Sequence, residues 1–209
     1  MSGSPVDRHA APVEGLIAYF GYGSLVCRLT HRTEIVAAYP ARLKGWRRHW
    51  RPRPDMPGFP AALLTVRPQD KAGCDGLLVI DRAENLAAVD AREARYDRVE
   101  INRASIDCAA KLDGIPIYLY VAETQVPAHP APPMILQSYL DAVMHGFQAE
   151  HGDDGLMRFL DETDGFEIGL HADRDQPLYP RALAHDDARA AAFDRLLAPY
   201  LVAPSAKQV

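Results

Sequence analysis

The stretch FGYGSL carries the first arrangement able to do chemistry. Gly21 and Gly23 break an apolar run and lead into Ser24, a pattern that exposes consecutive backbone N–H groups to a carboxylate or an oxyanion. A tight turn at the end of a strand accounts for the same residues equally well. It is not a dinucleotide fingerprint, because Val26 stands where the third glycine of GxGxxG belongs, and the GK[ST] of a Walker loop is missing. Ser24 lacks a GxSxG elbow and has no histidine placed by spacing as its base, which argues against a hydrolase nucleophile. The eight histidines are scattered without HxxxH or HExxH spacing, so they read as surface or core residues and no metal cofactor is expected.

A second arrangement is DAREARYDR, in which Asp90, Glu93 and Asp97 alternate with Arg92, Arg95 and Arg98. By periodicity alone such a run is a solvated helix face. Its place after a buried strand, with Tyr96 alongside, makes it a source of a candidate base. A carboxylate sheltered at a pocket mouth is raised toward neutrality and can take up a proton. A third arrangement is basic: Arg42, Lys44, Arg47, Arg48, Arg51 and Arg53 interleave with Trp46, His49 and Trp50. On a chain of net charge -5, with the cations alternating along a strand, this predicts two strand faces or a local funnel for a small anion rather than a nucleic-acid surface.

The elements that must carry these residues follow from hydrophobic pattern. Residues 16–20 predict a buried strand ending in the glycines, and residues 41–50, 62–66, 76–80, 98–106 and 115–123 predict further strands. The turn signal KAGCDG separates the strands at 62–66 and 76–80. Residues 83–96 predict a helix with Leu86, Val89 and Ala94 near one face. Ile135, Leu136, Tyr139, Leu140, Val143, Met144 and Phe147 repeat at helical spacing, with Gly146 tolerable near the end, and shorter helices are expected over 155–163 and 186–201. The order predicts a mixed α+β fold with its strands in a small curled barrel.

At 209 residues, 48% hydrophobic and 24% charged, the chain can bury a core without staples and is not disordered. One domain over 15–209 is expected, after a loose tail at 1–14. Cys27, Cys74 and Cys108, widely spaced and odd in number, predict reduced thiols in a cytoplasmic protein. No run approaches the roughly 18 apolar residues of a membrane span, so no membrane partner is expected.

Taken together, FGYGSL, LKGWRRHW, PGFPAALL, AGCDGLLVI, DAREARYDRVEI, IYLYVA and SYLDAVMHGF resemble, in order and spacing, the γ-glutamylcyclotransferase superfamily. The resemblance covers most of the chain, while LHADRDQPLYPRALAHDD continues past the minimal family domain. It implies a small mixed barrel with flanking helices and no cofactor. It implies further that the backbone of Tyr22, Gly23, Ser24 and Leu25 surrounds the α-amino-acid end of a γ-glutamyl group, that Tyr120 lines the pocket, and that Glu93 is the general acid/base. The implied reaction turns a γ-glutamyl peptide or amine, glutathione among the candidates, into 5-oxoproline and a released amine. A small-molecule binding or interaction module without catalysis, and a different amide-cleaving enzyme, are the alternatives. Oligomeric state is not set by the sequence.

Overall fold

The apolar run at 16–21 becomes the middle of a mixed sheet in the computed structural model, which describes residues 15–53, 61–122 and 132–201. The elements are β1 (Leu16–Gly21), β2 (Ala37–Arg53), β3 (Ala61–Arg82), α1 (Leu86–Arg92), β4 (Tyr96–Glu100), β5 (Ile106–Cys108), β6 (Ile117–Ala122), β7 (Ile135–Leu136), α2 (Gln137–Asp161), β8 (Thr163–Asp164), β9 (Leu170–His171) and α3 (Asp187–Leu197). The tail at 1–14, part of the proline-rich loop and most of the linker at 125–133 lie outside the described residues.

The strands form one sheet in the order β4-β6-β1-β3-β2-β5, with β8 added beside β2, while β7 and β9 pair separately. β1 runs parallel to β6 and antiparallel to β3, and Ile17 to Phe20 are buried on both faces, which is why this strand reads as unbroken apolar sequence. The expected barrel is not present among the described residues. The end strands β4 and β5 pair only with β6 and β2 respectively, so the described sheet stays open. β4 carries Asp97, Arg98 and Glu100, charges that disfavour a further pairing partner at an edge.

Several boundaries moved for local reasons. The two strands expected at 62–66 and 76–80 are one long β3, and the turn signal between them survives as a bulge. Partners of β3 jump from Gly73, opposite Lys44, to Pro68, opposite Trp46, and Lys71 adopts a left-handed φ of 62°. α1 ends at Arg92 rather than 96, because Tyr96 is already paired in β4; Leu86 and Val89 are buried as expected, but Ala94 is exposed. The strand expected over 98–106 stops at Glu100, where the Asn102 side chain accepts from the Ala104 amide at 2.8 Å and turns the chain. Ile135 and Leu136 belong to β7, and the two helices expected after them are one element interrupted at Gly152, which has φ 69° and ψ -174°.

One apolar cluster runs from Ile17 in β1 to Leu197 in α3, so the sheet and α2 share a core. The three cysteines carry free thiols. Burial pushes that of Cys74 up to about 11, which keeps it protonated and unreactive near neutral pH. No helix among the described residues is long and apolar enough to cross a membrane.

Candidate active site

The placement of Glu93 starts with Asp81 at the end of β3. Its buried carboxylate accepts from the Arg82 amide and the Asn85 side chain at 2.7 Å each, and from the Tyr19 and Thr33 hydroxyls at 3.3 Å each. That set holds the start of α1 against β1. Leu86 and Val89 then seal the helix onto the core, and the last helical bond, from the Glu93 amide to the Val89 carbonyl at 3.0 Å, fixes where the glutamate emerges. The Tyr96 amide bonds the Glu93 carbonyl at 2.8 Å, so Glu93 sits in the turn that converts helix into strand.

Arg92 ties this turn to the glycine turn. Its guanidinium donates to Glu93 Oε1 at 3.0 Å, to the Thr30 carbonyl at 2.9 Å, to Thr30 Oγ1 at 3.0 Å and to Ser24 Oγ at 3.4 Å. Side-chain exposure is 9% for Arg92 and 16% for Glu93, which leaves the carboxylate sheltered but open on one side. Burial raises the Glu93 carboxyl above the ordinary carboxylate range, against the opposing pull of the Arg92 and Arg181 charges.

The glycine turn closes over Glu93. Gly23 precedes a short 3-10 turn over Ser24–Val26, and a Cβ at Gly23 would stand 2.8 Å from the Tyr139 hydroxyl. The Ser24 backbone amide faces that hydroxyl, and burial, followed by Tyr179 and Glu93, raises its pKa far above neutrality. Tyr139 therefore keeps its phenolic proton and can donate it beside the carboxylate. Gly21, Tyr22, Gly23, Ser24, Leu25, Tyr96, Tyr120 and Tyr139 surround one recess with Glu93. The recess shares Ser24, Glu93, Tyr96 and Tyr139 with a larger cavity of about 350 Å³, which reaches Ala62, Tyr179 and Arg181.

No protein-family model matches the sequence, and no curated protein matches it. Solved structures do. One titled γ-glutamyl cyclotransferase superposes with a TM-score of 0.52 at 14% identity, covering 72% of this chain and 89% of that one. An uncharacterized human protein superposes with a TM-score of 0.52 at 17% identity, covering 73% and 90%. The chain shares the fold of this γ-glutamyl cyclotransferase structure.

Within this γ-glutamylcyclotransferase-like fold the residues singled out from the sequence come together: Tyr22, Gly23, Ser24, Leu25, Glu93 and Tyr120 line the same recess. Their hydroxyls are partly committed, since Tyr22 donates to the Tyr120 carbonyl and Tyr120 donates to Asp90 at 2.7 Å. Of the other acids in DAREARYDR, Asp90 is held by Arg98 at 2.6 Å and Asp97 is exposed on β4. Of the two expectations for the basic stretch, two strand faces or a local anion funnel, the described contacts of Arg42, Arg47 and Arg48 do not form a funnel. Arg42 pairs with Asp75 at 2.8 Å and Glu162 at 2.6 Å, Arg47 pairs with Asp164 at 2.8 Å, and Arg48 is fully buried. Sequence reasoning missed Arg92 as the link between the two turns and Tyr139 as a polar group of the site. The signal for Tyr139 was its hydroxyl within an otherwise apolar helix stripe, since a buried tyrosine needs a partner for its tip.

Proposed function

We propose that the protein is a γ-glutamylcyclotransferase in which Glu93 moves the protons. In this reaction the substrate's α-nitrogen attacks its own γ-carbonyl carbon, and nucleophile and electrophile are already tethered, so holding a near-attack conformer recovers much of the effective-molarity advantage. The α-amine arrives as an ammonium with a pKa of about 7.7–8 or higher. Ionised Glu93 accepts that proton, the new C–N bond forms, and the γ-carbonyl oxygen becomes an oxyanion. Glu93 then returns the proton to the departing nitrogen as the oxyanion re-forms the carbonyl and the old amide C–N bond breaks; the ring nitrogen gives up its second proton, which the released amine takes up as its ammonium, leaving 5-oxoproline. A backbone amide of the glycine turn or the Tyr139 hydroxyl supplies the donor for the oxyanion, an interaction worth roughly 3 kcal/mol when well placed.

The observation that carries this reading is the carboxylate itself: sheltered, raised, and facing the glycine turn across a recess that opens into a substrate-sized cavity. The likeness in fold to a γ-glutamyl cyclotransferase supports it. The test is a mass-spectrometric screen for 5-oxoproline release from glutathione, γ-glutamyl dipeptides and γ-glutamyl-lysine. Wild type is expected to release it and Glu93→Gln to lose turnover while still folding and binding donor. Substantial turnover by Glu93→Gln removes Glu93 from the mechanism, and donor binding by wild type without product assigns the pocket to binding alone.

A further inference from the structure

The segment LHADRDQPLYPRALAHDD, which runs from β9 to the start of α3, is built into the cavity wall. Two residues anchor it. Buried Asp173 accepts from the Ser138 amide at 2.8 Å, the Ser138 hydroxyl at 2.6 Å and the Leu178 amide at 3.0 Å. Arg174 grips Asp141 on α2 through two bonds of 2.6 and 2.8 Å and reaches Asp194 on α3 at 2.8 Å. Between these anchors and α3 the chain delivers Tyr179, whose ring meets Tyr139 edge-on with centroids 5.0 Å apart. A turn from the Ala182 amide to the Tyr179 carbonyl, 3.1 Å, sets Arg181 on the cavity lining.

Two features of this wall are unspent. The Tyr179 residue is 8% exposed and its hydroxyl has no hydrogen-bond partner among the described residues, an arrangement that costs stability unless something else binds there. Arg181 has no ion-pair partner among the described residues, although its charge reaches Glu93 across the cavity. A half-exposed arginine alone would be an ordinary surface cation. Beside a buried phenol that lacks a partner and lines the same cavity, it is half of a two-donor site. A guanidinium and a hydroxyl together complement a carboxylate.

Resting on the reaction proposed above, we infer that Tyr179 and Arg181 form the leaving-group subsite and select γ-glutamyl donors whose departing amine bears a carboxylate, that is, γ-glutamyl amino acids and peptides over γ-glutamyl amines. The γ-glutamyl end belongs to the recess around Glu93 and the glycine turn, so the outer wall faces the other side of the scissile bond.

A matched pair of donors tests it: γ-glutamyl-alanine and γ-glutamyl-ethylamide, which differs by lacking the carboxylate. Wild type is expected to favour the dipeptide in kcat/KM. Arg181→Gln should lower that ratio by about 10- to 100-fold, Tyr179→Phe by a smaller factor, and Arg181→Lys should restore part of it. Any effect of Arg181 through the Glu93 charge acts on both donors and cancels in the ratio. A wild-type ratio near one, or a ratio unmoved by Arg181→Gln, overturns the subsite. The same comparison by calorimetric binding to Glu93→Gln needs no turnover. Arg181-dependent preference for the dipeptide there, with a wild type that makes no 5-oxoproline, would sink the reaction and keep the subsite; equal or absent binding of both donors would sink the subsite.

Discussion

At the scale of single residues, Arg92 shows how one side chain can join two sites that are far apart in sequence. Its bonds to Ser24 and Thr30 hold the glycine turn, and its bond to Glu93 pulls that carboxyl down against the larger effect of burial. A base must be ionised, so kcat/KM should rise with pH through the Glu93 pKa, and that limb lies above the ordinary glutamate range. Removing the Arg92 charge lets burial act with less opposition. Arg92→Met is therefore expected to move the acidic limb to higher pH, with Arg92→Lys moving it less. A pH–rate profile checks this, and a limb that stays in place or moves down would mean Arg92 does not set the proton affinity of Glu93. The residue types of this site were legible in the sequence, because glycines, an acid and tyrosines announce their chemistry. Arg92 was legible only as one of three similar arginines, and nothing in the spacing singled it out.

At the scale of elements, the site depends on how closely α2 approaches the glycine turn. Gly146 permits that approach: a Cβ there would stand 2.5 Å from the Cys27 amide nitrogen and 2.8 Å from the Val26 carbonyl carbon. In an exposed helix, glycine to alanine stabilises by roughly 0.5–1 kcal/mol. Here the obstacle is backbone, which cannot rotate away. Gly146→Ala should instead destabilise by about 1–3 kcal/mol, read from the urea midpoint, and should impair turnover by displacing the turn. A stabilised variant would show that helix and turn are less closely packed than this. Helix propensity alone makes Gly146 a tolerated blemish near a helix end. Its role emerges only with the partner element in place. The bulge in β3 makes the complementary point, since KAGCDG marked a real departure from the ladder at Lys71 without ending the strand.

At the scale of the whole molecule, charge that looked functional along the chain is spent on holding the fold. Arg48 is fully buried against the stacked rings of Phe147 and Phe159, at 4.7 and 4.9 Å from their centroids, and donates to the Asp75 carbonyl at 2.6 Å and to Thr163 at 3.1 Å. It joins β2 to α2 on both sides of Gly152 and to β8. Arg48→Ala is expected to cost about 3–5 kcal/mol in urea unfolding, and Arg48→Met less, because a straight apolar chain still packs against the two rings. Equal losses would assign the contribution to the charge and its bonds alone. The sequence by itself determined the apolar core strands, the amphipathic first half of α2 and the chemical types in the glycine and acidic motifs, because hydrophobic period and side-chain chemistry are local properties. Tertiary structure decided which arginines remain available, that the sheet stays open, and that Tyr139, Tyr179 and Arg181 meet Glu93 at one cavity. Those outcomes rest on contacts between segments distant along the chain, and burial, ion pairing and proton affinity take their values only when such segments meet.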